Sequence, residues 1–293
     1  MSANQRPIIL WSHPRSLSTV FERLFLKYPQ EFHVIHEPLN QIGRAYVTKN
    51  FEFLKQIPLS KSTDPITFVH HFSPALNNIL SLHYCNNNKT HTLRVFVKDH
   101  ASNFLEAFEE NLEGNPLGSK EVLSKFRHMF IIRNPEKSVK SFYKAAFSTC
   151  KAWEACVPNS EKYDIFFPEK VWLKDSRILY DLIKKITEEK IVLVDTDDLV
   201  LEPEKILRKY CEMVNIKFKK EMLEWKKEML KIWDLKLSGP DIDYLWHKYV
   251  LGRSKLILYL IPFEFLQPIK LQYLLNKESN WSGLIFSFNF FIF

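Results

Sequence analysis

Residues 13–19 read HPRSLST, a run that gathers one guanidinium, Arg15, with three hydroxyls, Ser16, Ser18 and Thr19. A tight turn that opens a helix points backbone N–H groups and the positive end of the helix dipole at one spot, which suits a phosphate. Arg15 adds a planar cation with two-point reach, and the hydroxyls add donors in the first turn. The same residues also describe a plain capped helix start behind a surface cation. The loop has no glycine, and the chain has only 6 in all. The GxxxxGK[ST] pattern of a Walker-type loop is therefore absent, which disfavours a small-molecule kinase using ATP and magnesium. A second set of groups could move protons. Glu37 stands in HEPL, and Lys98 and His100 stand in KDH, each just after an apolar run. An imidazole is matched to proton abstraction near neutral pH. A carboxylate at the carboxyl end of a strand lies on the working edge of an open α/β sheet. Glu37 and His100 are both candidate bases. A third pair, Arg133 and Ser141, follows the run HMFIIR at a spacing of eight; for Arg133 the bland alternative is an ion pair at the sheet edge.

These groups need elements to hold them. Pro7 to Trp11 (PIILW) is a continuous apolar run, as expected of a strand buried on both faces. Ser16 to Tyr28 has helical spacing, with Leu17, Val20, Phe21, Leu24 and Phe25 on one face and Pro29 as the stop. Further strands are expected at Phe32–His36, Thr92–Lys98, His128–Arg133 and Ile191–Asp195. Pro135 is well placed to open a helix. Other helices are expected over 40–56, 74–84, 169–189, 203–214, 219–231 and 241–256, with loops at 60–66 and 113–120. Strands alternating with helices predict an α/β fold whose mostly parallel sheet is covered on both faces.

Two motifs on these elements, WSHPRSLST after the first strand and IIRNPEKSVKSFY at the fourth, resemble the P-loop sulfotransferase superfamily. Members carry a 5′-phosphosulfate loop of the PRSxST type and a 3′-phosphate motif of the IRDPxxxxxSxY type. Asn134 stands here in place of the usual Asp. The tripeptide Phe21-Glu22-Arg23 matches the helix of the PRSxST branch. The stretch VLVDTDDLVLEPEKILRKYCEMVNIKF is similar to the family's later strand, turn and helix. YLWHKYVLGR, Tyr244 to Arg253, sits where members have a C-terminal helix leading to a nucleotide-contacting loop. The resemblance spans residues 7–255. It implies a P-loop NTPase-like three-layer sandwich around a five-stranded, mostly parallel sheet. It also implies 3′-phosphoadenosine 5′-phosphosulfate (PAPS) as sulfuryl donor, with no metal and with a hydroxyl or amine of a small molecule as acceptor. Arg15, Ser16, Leu17, Ser18 and Thr19 would hold the 5′-phosphate, with Arg15 at the leaving group. Arg133 and Ser141 would hold the 3′-phosphate. The Lys98-x-His100 spacing is similar to that of cytosolic sulfotransferases, where the His is the base, whereas a carboxylate in the place of Glu37 serves in other branches. Lys98 would neutralise the transferring group, or else pair with Asp99 or a helix end. A catalytically silent nucleotide-binding protein of the same fold is the alternative.

The chain has 293 residues, 46% of them hydrophobic and 26% charged, enough for a sizeable core. One α/β domain is expected over 1–255, with an apolar C-terminal extension over 256–293. The closing run LIFSFNFFIF falls short of the roughly 20 residues of a membrane span. A net charge of +7 favours anionic ligands. Lys and Arg are nevertheless spread along the chain, without a basic run or a zinc-finger signature, which reads as a solvated surface and not a nucleic-acid groove. Cys85, Cys150, Cys156 and Cys211 form no CxxC pair, which disfavours a zinc or thioredoxin-like site; Cys150 and Cys156 could pair in an oxidising compartment, but free buried thiols are expected. The N-terminal segment has too short an apolar core for a signal peptide, and a soluble cytoplasmic protein is expected. His13 is expected to be a spacer with a solvated ring. His36, His70 and His71 lack metal-ligand spacing and are given no role.

Overall fold

In a computed structural model of the chain, the described residues are 6–40, 76, 77, 79, 80, 93–109, 122–142, 145, 173–188 and 190–224. The expected helix at 241–256, the loops at 60–66 and 113–120, and the extension from 256 lie outside them, as does 40–56 beyond its first residue. Of the expected helix at 74–84, Leu76, Asn77, Ile79 and Leu80 are described, and they are helical. Of 219–231 only the start is described, where Lys220–Leu223 forms a 3-10 turn.

The strands are β1 (Ile8–Ser12), β2 (Phe32–His36), β3 (Arg94–His100), β4 (Arg127–Ile132) and β5 (Val192–Asp195). They form a five-stranded sheet in the order β2-β3-β1-β4-β5, and every neighbouring pair is parallel. The helices are α1 (Ser18–Leu26), α2 (Ala101–Glu109), α3 (opening at 135 and described through 142), α4 (Leu173–Ile186), α5 (Thr196–Leu201) and α6 (Pro203–Met213). Neither α2 nor α5 is among the expected helices. α2 follows β3 without a Gly or Pro to mark the boundary. α5 is a short turn of helix whose start is capped by Asp195, which accepts from Asp197 N.

Strand periodicity sorts the core into two layers. On one face Ile9, Trp11, Val95, Val97 and Phe130 pack with Phe104 of α2 and with Leu179 and Ile183 of α4. On the other face Phe25 of α1 stacks on Phe96 at 4.0 Å between centroids. Phe21 meets Tyr210 of α6 at 4.8 Å, and the Tyr210 hydroxyl reaches Met129 Sδ at 3.1 Å. Helices thus cover both faces, giving three layers, and each fully buried large side chain contributes about 1.5–3 kcal/mol. Trp11 is fully buried, and its indole N–H donates to His128 Nδ1 at 3.0 Å. His128 Nε2 is 2.8 Å from Leu123 O, so Nε2 holds the proton. Burial pushes His128 down to about 4, which keeps it neutral in that role.

The strand order places the site. From β1 the chain moves to β2 and β3 on one side, whereas from β4 it moves to β5 on the other. Such a reversal opens a crevice beyond the carboxyl ends of the two central strands, here β1 and β4. Among the described residues no helix is long and apolar enough to cross a membrane, and Cys211 is a buried free thiol.

Candidate functional site

The turn after β1 adopts left-handed backbone without glycine. Arg15 has φ 66° and Leu17 has φ 64°, each at a cost of about 1–2 kcal/mol for a residue with a Cβ. Ser16 N closes the turn on His13 O at 3.2 Å. A left-handed Leu17 followed by a helical Ser18 turns successive N–H groups to one side at the start of α1, a concavity whose geometry suits an anion. These two departures explain why α1 begins at Ser18 and not at Ser16. Ser16, Ser18 and Thr19 are all buried there.

The distant motif meets this loop directly. Arg15 Nε donates to Ser141 Oγ of α3 at 3.0 Å, and Arg133 Nη1 donates to Arg15 O at 2.9 Å. Asn134 keeps the capping role that its position at the head of α3 requires, since its carbonyl and Oδ1 accept from Ser138 N and Lys137 N at 3.0 and 3.3 Å. Thr196, the first residue of α5, donates to Ser16 O at 2.9 Å and also touches Ile132 O, so β4, β5 and the loop share one hydroxyl. Sequence reasoning missed Thr196 and also Ser138, which lies one turn before Ser141. Among the described residues the hydroxyls of Ser16 and Ser138 are buried without a hydrogen-bond partner, and an ordered water or a polar ligand would satisfy them. Replacing Thr196 by Val should cost about 1–2 kcal/mol of stability by leaving Ser16 O short of a donor. Denaturant unfolding would measure this, and an unchanged midpoint would show that the loop holds without it.

His13 departs from expectation. It is buried, 2% exposed, and burial drives it down to about 4. Its ring is packed and neutral because the turn folds it beneath the loop, with Nδ1 3.0 Å from Pro14 O.

The proton-moving groups also converge, on the α1 side of the sheet. Register sets His36 beside Lys98 and Ser12 beside His100. Glu37 follows β2 with φ 44°, a left-handed residue immediately before Pro38. Such an outlier costs about 1–3 kcal/mol and marks a constrained site. Its N–H donates to Lys98 O at 2.7 Å, which turns the side chain over the sheet end. Lys98 Nζ contacts Glu37 Oε1, His100 Nε2 is 3.0 Å from the same oxygen, and Asn40 Nδ2 donates to Oε2 at 3.0 Å. Lys98 does not pair with Asp99, because adjacent strand residues point to opposite faces. Asp99 instead accepts from Leu39 N, His100 N and Asn103 Nδ2 at 2.7, 2.7 and 2.8 Å. Burial, with Glu37 nearby, still lifts Asp99 to about 7.

Glu37 and His100, alternatives by sequence, therefore stand in one contact. Burial alone would raise Glu37, but Lys98, His100 and His36 outweigh it and hold the carboxyl well below its ordinary range. Burial and Lys98 lower His100 against the pull of Glu37. An imidazole nitrogen and a carboxylate oxygen at 3.0 Å must share a proton. The remaining His100 nitrogen, Nδ1, is 2.9 Å from Ser12 Oγ, whose hydroxyl donates to Asp99 O at 2.9 Å.

By sequence the chain matches no protein-family model and no curated protein. By structure it is similar to the sulfotransferase domain from the Synechococcus PCC 7002 olefin synthase, at 15% identity and a TM-score of 0.42, covering 94% of this chain and 95% of that one. It is also similar to the sulfotransferase domain from the curacin biosynthetic pathway, at 14% identity and a TM-score of 0.43, covering 94% and 98%. A third likeness, to mouse sulfotransferase SULT7A1 complexed with PAP, has 14% identity and a TM-score of 0.43, covering 97% and 88%. These three TM-scores are all below 0.5.

Proposed function

We propose that the chain is a sulfotransferase that moves a sulfuryl group from PAPS to a hydroxyl or amine of a small acceptor. The observation that carries this reading is the junction of Arg15, Ser141 and Arg133 at the crevice between β1 and β4. Two motifs more than a hundred residues apart meet as a pair of cations and a hydroxyl beside a helix N-terminus. In the reaction the bond from sulfur to the 5′-phosphate oxygen breaks and a bond from sulfur to the acceptor atom forms. The charge left on the phosphate falls to Arg15 and the N–H groups of residues 16–19. The proton lost by the acceptor goes to the Glu37–His100 pair. His100 is the member that changes charge, since Glu37 is held anionic by Lys98 and is the weaker base. Lys98 keeps the pair charged and fixed.

The direct test is calorimetric titration with adenosine 3′,5′-bisphosphate against ATP plus magnesium. Micromolar binding of the bisphosphate alone is expected. A preference for ATP would replace this reading with a kinase, and binding of neither would leave a silent scaffold. Turnover carries its own signature. Because burial and Lys98 lower His100, kcat/KM should be level near pH 7 and fall only below the ordinary imidazole value of about 6.5. An acid limb centred well above that value would assign the base elsewhere.

A further inference from the structure

α1 (STVFERLFL) carries a single carboxylate, Glu22, beside the guanidinium of Arg23 and ahead of the apolar Leu24, Phe25 and Leu26. Glu22 is fully buried. One of its oxygens is 2.7 Å from His36 Nδ1, and the other is buried without a hydrogen-bond partner. His36 ends β2, is 4% exposed, and places Nε2 3.7 Å from Glu37 Oε1. Burying a carboxylate costs several kcal/mol unless a charge answers it, and an imidazolium between Glu22 and Glu37 answers both.

We propose that Glu22 and His36 are positioning residues for the proton-accepting pair: Glu22 holds the His36 imidazole against Glu37, so the helix that starts at the nucleotide loop also fixes where Glu37, and through it His100, stand. The proposal rests on the reading of Glu37 and His100 as that pair. Among the described residues, the titratable groups that face His36 include Glu22 from α1, Glu37 from the turn after β2, and Lys98 and His100 from β3. Burial alone would depress His36, but Glu22 and Glu37 outweigh burial and Lys98, so the ring is raised above its ordinary value. His36 in turn helps to depress His100.

The test is nitrogen NMR of the imidazoles in nucleotide-free protein. In the native chain both His36 nitrogens should be protonated at pH 7. In Glu22→Gln, His36 should lose that charge, and the His100 titration should move upward by about half a pH unit or more. Should Glu22→Gln fail to fold, His36→Gln removes the same charge while keeping an amide of hydrogen-bonding capacity, and the same upward movement is expected. A neutral His36 at pH 7 in the native protein, or an unmoved His100 in either folded variant, overturns the proposal. Turnover gives a second readout. The acid limb of kcat/KM should rise in Glu22→Gln while KM for the nucleotide stays within about twofold, and Glu22→Asp should restore the native limb in part. Failure of the sulfotransferase reading shows itself separately, as native protein that neither binds the bisphosphate nor turns over while its imidazole titrations follow the expected pattern.

Discussion

Replacing Lys98 by Met should cost about 3–5 kcal/mol of folding stability, the magnitude expected when one partner of a buried ion pair is removed. Lys98 is fully buried and its ammonium contacts Glu37 Oε1. Without it the carboxylate keeps His36, His100 and Asn40 as neighbours but loses its strongest compensating charge. Glu37 would respond by taking up a proton, and this gives the variant a pH signature. In the native protein Glu37 is lowered, so its contribution is present above the ordinary carboxylate value and is lost as pH falls through the lowered folded value. In the variant the folded value is raised instead, so stability should fall as pH rises past the ordinary value. The double variant Lys98→Met/Glu37→Gln removes both charges and should recover most of the loss. Urea unfolding of the three proteins between pH 4 and pH 8 measures this, and a single-variant loss under about 1 kcal/mol would mean that the pair is screened by solvent.

The second large effect concerns the nucleotide. Arg133→Ala should weaken adenosine 3′,5′-bisphosphate by about a hundredfold, close to 3 kcal/mol, which is the scale of a charge-assisted contact to phosphate. Its cost to the fold should be smaller, about 1 kcal/mol, because in the ligand-free chain Arg133 gives up one hydrogen bond to Arg15 O. Ser141→Ala removes only a neutral hydroxyl and the partner of Arg15 Nε, and should weaken binding about tenfold or less. Arg133→Lys should recover little, since a point charge cannot reach Arg15 O and a phosphate with the same fork. Calorimetry paired with thermal unfolding separates the two quantities. Equal losses in binding and stability for Arg133→Ala would make the residue structural and remove it from the site.

Much of the frame was legible because the strands are continuous apolar runs, so PIILW and HMFIIR could be located within a residue or two. The boundaries that slipped have physical causes. α1 starts two residues late because Arg15 and Leu17 take left-handed backbone, which side-chain periodicity does not report. The meeting of Glu37 with His100 was not legible, since it depends on β2 and β3 being neighbours in a register that sets His36 against Lys98. Metal-ligand spacing, which His36 lacks, does not report an imidazole buried against a carboxylate. The available signal was Glu22, a carboxylate inside a wholly buried helix, which requires a partner somewhere in the fold. A histidine beside a proline in a short polar loop reads as exposed, whereas the turn tucks His13 under the loop after β1.

The central place of β1 has a consequence for synthesis on the ribosome. Its neighbours in the sheet are β3 and β4, whose last residues are His100 and Ile132, whereas β1 ends at Ser12. At cellular elongation rates the first partner follows β1 from the exit tunnel after an interval on the order of ten seconds. During that time Ile8 to Trp11, fully buried in the finished fold, has no strand to pair with and stands as an aggregation-prone segment. The nascent chain is therefore most in need of a chaperone before residue 100 emerges, and synonymous changes that slow translation between β2 and β3 lengthen that exposure.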